Sequence, residues 1–298
     1  MNIISVSRRT DIPSFYGEWF LNRINQGFVE YFNPFNYSQR YKVSLKPKDV
    51  IAFVFWSKNF KPFLPILKEI EKDYNFIFHF TITGLPRIFE PKVPEKEKMI
   101  YIFQELGTRY GKEKMLWRFD PIIISNITPQ SFIFETFEKI AEKLKGFTER
   151  CYISFVNFYG KVKKNFEYLR ISQNVIVHNS ESVQQKKIAE RLSRIAKKYN
   201  VTLYSCCNDI IVNEDIKKAH CVDAELIFKI FNITHKFPKI NPTRKECGCY
   251  DSRDIGTYDT CPHNCIYCYA NTNKNRIMKF YEKYRKNSAL QFAPSLFW

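Results

Sequence analysis

The sequence predicts an α/β protein: a parallel β/α barrel, partial or full and TIM-like, with a cysteine-rich C-terminal appendage that binds a cluster. Three observations carry that expectation. Short apolar runs alternate with longer amphipathic stretches over most of the chain, and polar residues stand at the ends of the apolar runs. Five of the nine cysteines crowd into residues 247–268.

The first apolar run, residues 3–6, leads into Ser7, Arg8, Arg9, Thr10 and Asp11, then a helical pattern over 15–26. The second, 51–56, ends at Lys58 and Asn59 and precedes a helix over 63–73. Thr81 and Thr83 close the third run, 76–82, before a helix over 95–110. Arg118 and Asp120 close the fourth, 115–119, before a helix over 131–144. Asn157 follows the fifth run, 151–156. A helix over 182–198 gathers Ile188, Leu192, Ile195 and Ala196 on one face and leads to the sixth run, 201–206, ending at Cys206 and Asn208. Continuous apolar runs suit strands covered on both faces, and strand–helix alternation suits parallel βα units. In a barrel the C-terminal strand ends converge on one site. An open sheet would gather only a few of these polar ends, so the pattern favours a barrel over residues 1–209. Residues 210–298 form the appendage: a short helix over 223–231, a proline-containing loop, the cysteine stretch and a basic tail.

A hydrophobic fraction of 45%, with 28 Phe, 18 Tyr and only 9 Gly, supports a large packed core. A charged trio interrupts the N-terminal apolar stretch too early for a signal peptide. The longest apolar runs are strand-length and too short to span a bilayer. The expectation is therefore a cytoplasmic protein without a membrane partner. With 47 basic and 30 acidic residues the net charge is +17. Such a field favours nucleic acid or small anionic and nucleotide substrates, although the basic residues are scattered as on solvated helix faces.

An odd cysteine count without a secretion signal argues for metal or redox chemistry over disulfides. The stretch CPHNCIYCYAN, residues 261–271, spaces Cys261, Cys265 and Cys268 so that three thiolates hold three corners of a [4Fe–4S] cluster, leaving one iron open. A structural zinc is the alternative, completed by His263 or another cysteine, but zinc sites usually pair two C-x2-C knuckles and only one is present here. Cys206, Cys221, Cys247 and Cys249 are four further ligand candidates, for a second iron–sulfur cluster or for zinc. Cys151 and Cys207 read as small buried hydrophobes. Adjacent Arg8 and Arg9 could clamp a carboxylate or phosphate. Asp11 could orient them or cap the following helix. Lys58, Arg118 and Asp120 extend the polar rim. The five histidines lack metal-ligand spacing, and no GxGxxG or P-loop occurs.

The CX3CX2C spacing with Tyr267 before its last cysteine resembles the radical SAM signature. The fuller string is similar to the spore photoproduct lyase-related branch of that superfamily. That resemblance implies a cluster on Cys261, Cys265 and Cys268 that binds S-adenosylmethionine at its open iron and reductively yields a 5′-deoxyadenosyl radical. It also implies Tyr267 against the adenine and an electron donor such as ferredoxin or flavodoxin. The motif lies near the end of the chain, so the resemblance implies a permuted barrel. The opening SVSRRTDIPSFYGEWF, the middle stretch WRFDPI and the cysteine-rich ending together also resemble an uncharacterised bacterial and archaeal family known only as a domain of unknown function. Two alternatives stand beside a radical enzyme: a non-catalytic iron–sulfur protein for electron transfer or redox sensing, and a zinc-stabilised nucleic-acid-binding protein.

Overall fold

The computed structural model describes residues 1–33 and 36–296, so Phe297 and Trp298, the end of the expected basic tail, lie outside the described residues. Its main sheet has eight strands: β1 (Asn2–Val6), β2 (Val50–Ser57), β3 (Phe76–Thr81), β4 (Met115–Ile122), β5 (Arg150–Phe155), β6 (Thr202–Ser205), β7 (Ile216–Lys218) and β8 (Arg253–Asp254). Their order is β7-β6-β5-β4-β3-β2-β1-β8, and every pairing is parallel. The strand order never reverses, unlike that of a doubly wound sheet. Among the described residues no pairing joins β7 to β8, so the ladder has two edges.

The six expected strands are β1 to β6. Both edges come from the segment after residue 210, so the expected appendage contributes strands as well as covering loops. β7 has three residues and β8 two, too short to leave a pattern in the sequence.

Alternation across the strands sorts the two faces of the sheet. Phe53 and Phe55 of β2, Phe78 and Phe80 of β3, and Trp117 and Phe119 of β4 join the main core with the helices. Those helices are α1 (Gly17–Gln26), α2 (Leu64–Ile70), α3 (Lys96–Tyr110), α4 (Gln130–Leu144) and, beyond α5 (Gly160–Gln173), which packs in a separate cluster with Phe89 and Ile266, α6 (Ser182–Lys198). Phe20 of α1 meets Phe53 and Phe55 edge-on at 5.2 and 5.7 Å. Each such fully buried ring contributes about 2 kcal/mol by area alone. Gly27, at φ 75°, ends α1 in the left-handed region that a residue without Cβ enters freely.

The opposite face carries Ile3, Val54, Ile77, Leu116 and Tyr152. It is covered by α7 (Ala224–Phe231) and by Cys206, Cys221, Cys247 and Cys249. After α8 (Lys274–Lys286) the chain returns to its beginning, where Trp19 Nε1 and Arg23 Nη2 donate to the carbonyls of Ala293 (2.9 Å) and Phe292 (2.7 Å). An antiparallel hairpin, Phe28–Asn33 with Asn36–Ser44, leans on the same end through Glu30 N and the Pro294 carbonyl. No helix among the described residues is long and apolar enough to cross a membrane.

Candidate functional site

Three carboxylates, Asp11 after β1, Glu90 in the loop after β3 and Asp254 on the edge strand β8 beside β1, tie the last segment to the sheet. Asp11 accepts from Ser14 N (3.0 Å), capping the short helix Ile12–Phe15, and from Ser57 Oγ (2.7 Å) and Lys58 N (2.9 Å). His263 Nε2 lies 2.8 Å from its Oδ2. Asp11 thus caps a helix and also orders the cysteine loop. Glu90 pairs with Lys58 Nζ at 2.7 Å, accepts from Thr83 Oγ1 at 3.0 Å and also accepts from the Tyr267 hydroxyl. Asp254 on β8 accepts from Ser5 Oγ (2.8 Å), Ser7 Oγ (2.5 Å), Arg8 N (2.9 Å) and Gly256 N (3.1 Å). A Cβ on Gly256 would lie 2.0 Å from Ser7 Oγ, so only glycine allows this approach.

Burial would raise the Asp254 carboxyl, but Arg8 and Arg9 outweigh it and hold the group below the ordinary aspartate range. Burial likewise opposes the charge of Lys58, yet Glu90 and Cys265 hold its ammonium above the ordinary lysine range. Arg8 and Arg9, expected to clamp an anion, are therefore both engaged by Asp254. Arg9 also donates to the Gly256 carbonyl at 3.3 Å.

The loop 261–268 docks between these anchors. Ile266 N donates to the Phe89 carbonyl (3.0 Å), and Asn165 Nδ2 of α5 to the Ile266 carbonyl (2.7 Å). Asn271 Nδ2 caps the Cys261 carbonyl at 2.7 Å. Burial raises the Cys261, Cys265 and Cys268 thiols above their ordinary range, so metal binding there must expel protons. The backbone already offers N–H groups to sulfur: Ala270 N lies 3.3 Å from Cys268 Sγ. Cys265 and Cys268 border a cavity of about 370 Å³ that Lys161, Lys274, Asn264 and Asn271 also line. Asn264 and Asn271 each bury an Oδ1 without a hydrogen-bond partner. Burial lowers the Lys274 ammonium.

As the side chains stand, no set of three or more His, Cys, Asp or Glu among the described residues is arranged to hold a metal ion. The chemistry of the loop nevertheless fits a cluster bound by three thiolates, with donors at sulfur and open volume beside two of the three. It fits a His263-completed zinc poorly, because Nε2 faces Asp11 and Nδ1 faces the Lys92 carbonyl at 3.4 Å.

The remaining expected residues gather elsewhere. Arg118 and Asp120 pair with each other, and Arg118 Nη1 reaches Cys221 Sγ at 3.4 Å. The Arg118 guanidinium lies between Trp56 and Tyr152, 5.3 and 5.7 Å from the ring centroids. Cys206 Sγ stands 3.2 Å from Cys221 Sγ. Cys206 also meets Cys207, Cys221 meets Cys249, Cys249 meets Cys247, and Cys247 meets Cys207. The four cysteines expected together are together, and Cys207, read as a buried hydrophobe, joins them. Cys151 is buried in the main core.

Sequence reasoning missed Glu90, Asp254, Lys161, Lys274 and Asn165. Only Asp254 carried a hint, as the acid in RDIG between two cysteine pairs. The others lie in ordinary charged or amide-bearing stretches and acquire meaning only through the fold. Compared with known proteins, residues 3–270 match the profile of a family described as Domain of unknown function (DUF1848). No curated protein matches the chain.

Proposed function

The chain belongs to the DUF1848 family, whose description names no activity, and from its site we propose that it is an iron–sulfur enzyme of the radical SAM type acting on an anionic substrate. The observation that carries this reading is the shared cavity: Cys265 and Cys268 open onto the same 370 Å³ as two lysines and two amides with unpartnered acceptors. That volume falls within the range of small-molecule sites. Lys161 and Lys274 suit a carboxylate or phosphate, and the Asn264 and Asn271 oxygens suit an ammonium. A group bearing both, the amino-acid end of S-adenosylmethionine, matches this combination.

When bound and reduced, the cluster would supply one electron to a sulfonium at its open iron. The chain's own residues do the rest. Lys161 and Lys274 hold the anionic group, and the two asparagines orient its cationic neighbour. Glu90 fixes the Tyr267 ring, with Lys58 Nζ 5.7 Å from the ring centroid, as a wall for a flat base. Asp11, Asp254 and Asn165 are positioning residues that keep the loop in register. We read the parallel sheet as curled, so that the ends of β1 to β6 face one mouth.

Anaerobic purification with iron and sulfide analysis tests the reading, alongside Cys261→Ala. About four irons per chain, lost in the variant, with 5′-deoxyadenosine formed from S-adenosylmethionine and a strong reductant, is the expected result. Stoichiometric zinc without iron under strict exclusion of oxygen would sink it. An intact cluster that never cleaves S-adenosylmethionine would leave an electron-transfer or redox-sensing protein instead.

A further inference from the structure

Five of the six cysteines outside the loop 261–268 form a ring against the covered face of the sheet. Cys206 and Cys207 follow β6, Cys221 follows β7, and Cys247 and Cys249 precede β8. The ring closes through thiol contacts from Cys206 to Cys221, Cys249, Cys247, Cys207 and back. Cysteines so distant in sequence do not converge by local preference. A lone buried thiol that serves only as a small hydrophobe, such as Cys151 in the main core, has no such ring of thiols around it.

The surroundings are cationic. Arg118 Nη1 lies 3.4 Å from Cys221 Sγ and Arg244 Nη2 3.8 Å from Cys206 Sγ. Arg8 is close enough to Cys249 and Cys221 to interact with both electrostatically. Backbone N–H also points at sulfur, Val222 N lying 3.5 Å from Cys249 Sγ.

We infer that Cys206, Cys221, Cys247 and Cys249 form a second metal centre, separate from the loop 261–268, that binds one soft divalent ion such as zinc. Tetrahedral zinc with bonds of about 2.3 Å sets neighbouring sulfurs roughly 3.8 Å apart. Cys206 and Cys221 at 3.2 Å are near that spacing, whereas thiolates on separate irons of a cube stand farther apart. Cys207, which is less buried than the other four and sits at φ 52°, is the spare thiol. Binding turns the four sulfurs from one another toward a shared centre. Four S–H bonds give way to four metal–sulfur bonds, four protons pass to water and no oxidation state changes. The resulting charge of −2 is met by Arg8, Arg118 and Arg244.

The inference does not depend on the radical reading, and its test is kept separate from it. The full chain with Cys261→Ala, Cys265→Ala and Cys268→Ala is expected to retain about one zinc per chain. Cys221→Ser added to that background should lose the zinc. In the unsubstituted protein, maleimide labelling mapped by mass spectrometry should reach Cys206, Cys221, Cys247 and Cys249 only after a chelator is added. If the Cys221 variant does not fold, the zinc count and the chelator-dependent labelling decide. A folded triple variant without zinc, or one holding iron and sulfide, overturns the inference, as does labelling of all four thiols without chelator.

Discussion

Asp254 shows how much one side chain can organise. It sits on a two-residue strand and joins the chain's last third to its first turn through Ser5, Ser7, Arg8 and Gly256. Asp254→Asn removes the charge that both arginines face, and breaking a buried pair costs about 3–5 kcal/mol. The arginines keep about a fifth of their side-chain surface, so about 3 kcal/mol is expected in urea denaturation. A loss below about 1 kcal/mol, the worth of an exposed pair, would show that Asp254 is not the pivot. His79 offers a pH signature. Burial, and then Arg118, holds its imidazole well below the ordinary histidine range. Nε2 lies 2.6 Å from the Cys221 carbonyl, and Trp56 stacks on the ring at 4.1 Å. The folded state keeps His79 neutral, while the unfolded chain takes up a proton below about pH 6.5. Its stabilising contribution is therefore present above that pH and is lost as pH falls below it, by up to about 1.4 kcal/mol per pH unit. Denaturation of His79→Gln between pH 7 and 5 should show a shallower decline than the parent, and equal slopes would refute the assignment.

At the scale of elements, α7 holds the cover on the face of the sheet opposite the main core. Its cap, Asp223, accepts from Leu226 N at 2.9 Å and pairs with Arg150 Nη1 at 2.9 Å. Asp223→Ala should cost about 1 kcal/mol for the cap and about 1 kcal/mol for the partly exposed pair. Asp223→Asn, which keeps the cap, should lose about half as much in thermal denaturation; equal losses would mean that the pair carries the whole effect. Legibility also divides by element. β1 to β6 were readable because each is a continuous apolar run covered on both faces. α5 was not, since Tyr168 and Ile171 are exposed and blur the stripe made by Val162, Phe166 and Leu169. The hairpin Phe28–Asn33 with Asn36–Ser44 is held by cross-strand pairs such as Val29 with Val43, in a segment where Phe, Tyr and Asn break up the apolar alternation. The cysteines were legible because three thiols at fixed spacing have few other uses. Their partners Glu90, Lys161 and Lys274 were not, because a lysine or glutamate looks alike whether it faces solvent or a buried thiol.

Across the whole molecule, both thiol groups lie in one stretch, residues 206–268, that covers one face of a sheet built mainly from residues 2–205, supplies its two edge strands and docks the loop 261–268 past the strand ends. The sheet's other face is sealed by aromatic rings and helices without help from any cysteine except Cys151. Stability need not be uniform in such an arrangement, since a covering segment opens more readily than a core that makes its own contacts. Metal affinity then becomes folding energy for the cover alone. Hydrogen exchange on protein stripped by chelator and acid, then returned to neutral pH, should show faster exchange across 206–268 with little change in β2 to β5. Protein reloaded with zinc should recover protection around Cys206, Cys221, Cys247 and Cys249, and reconstitution with iron and sulfide should recover it around Cys261, Cys265 and Cys268. Uniform loss of protection across β2 to β5 would mean that the cover and the sheet unfold as one unit. Equal protection in stripped and loaded protein would mean that the carboxylate anchors Asp11, Glu90 and Asp254 hold the cover without metal.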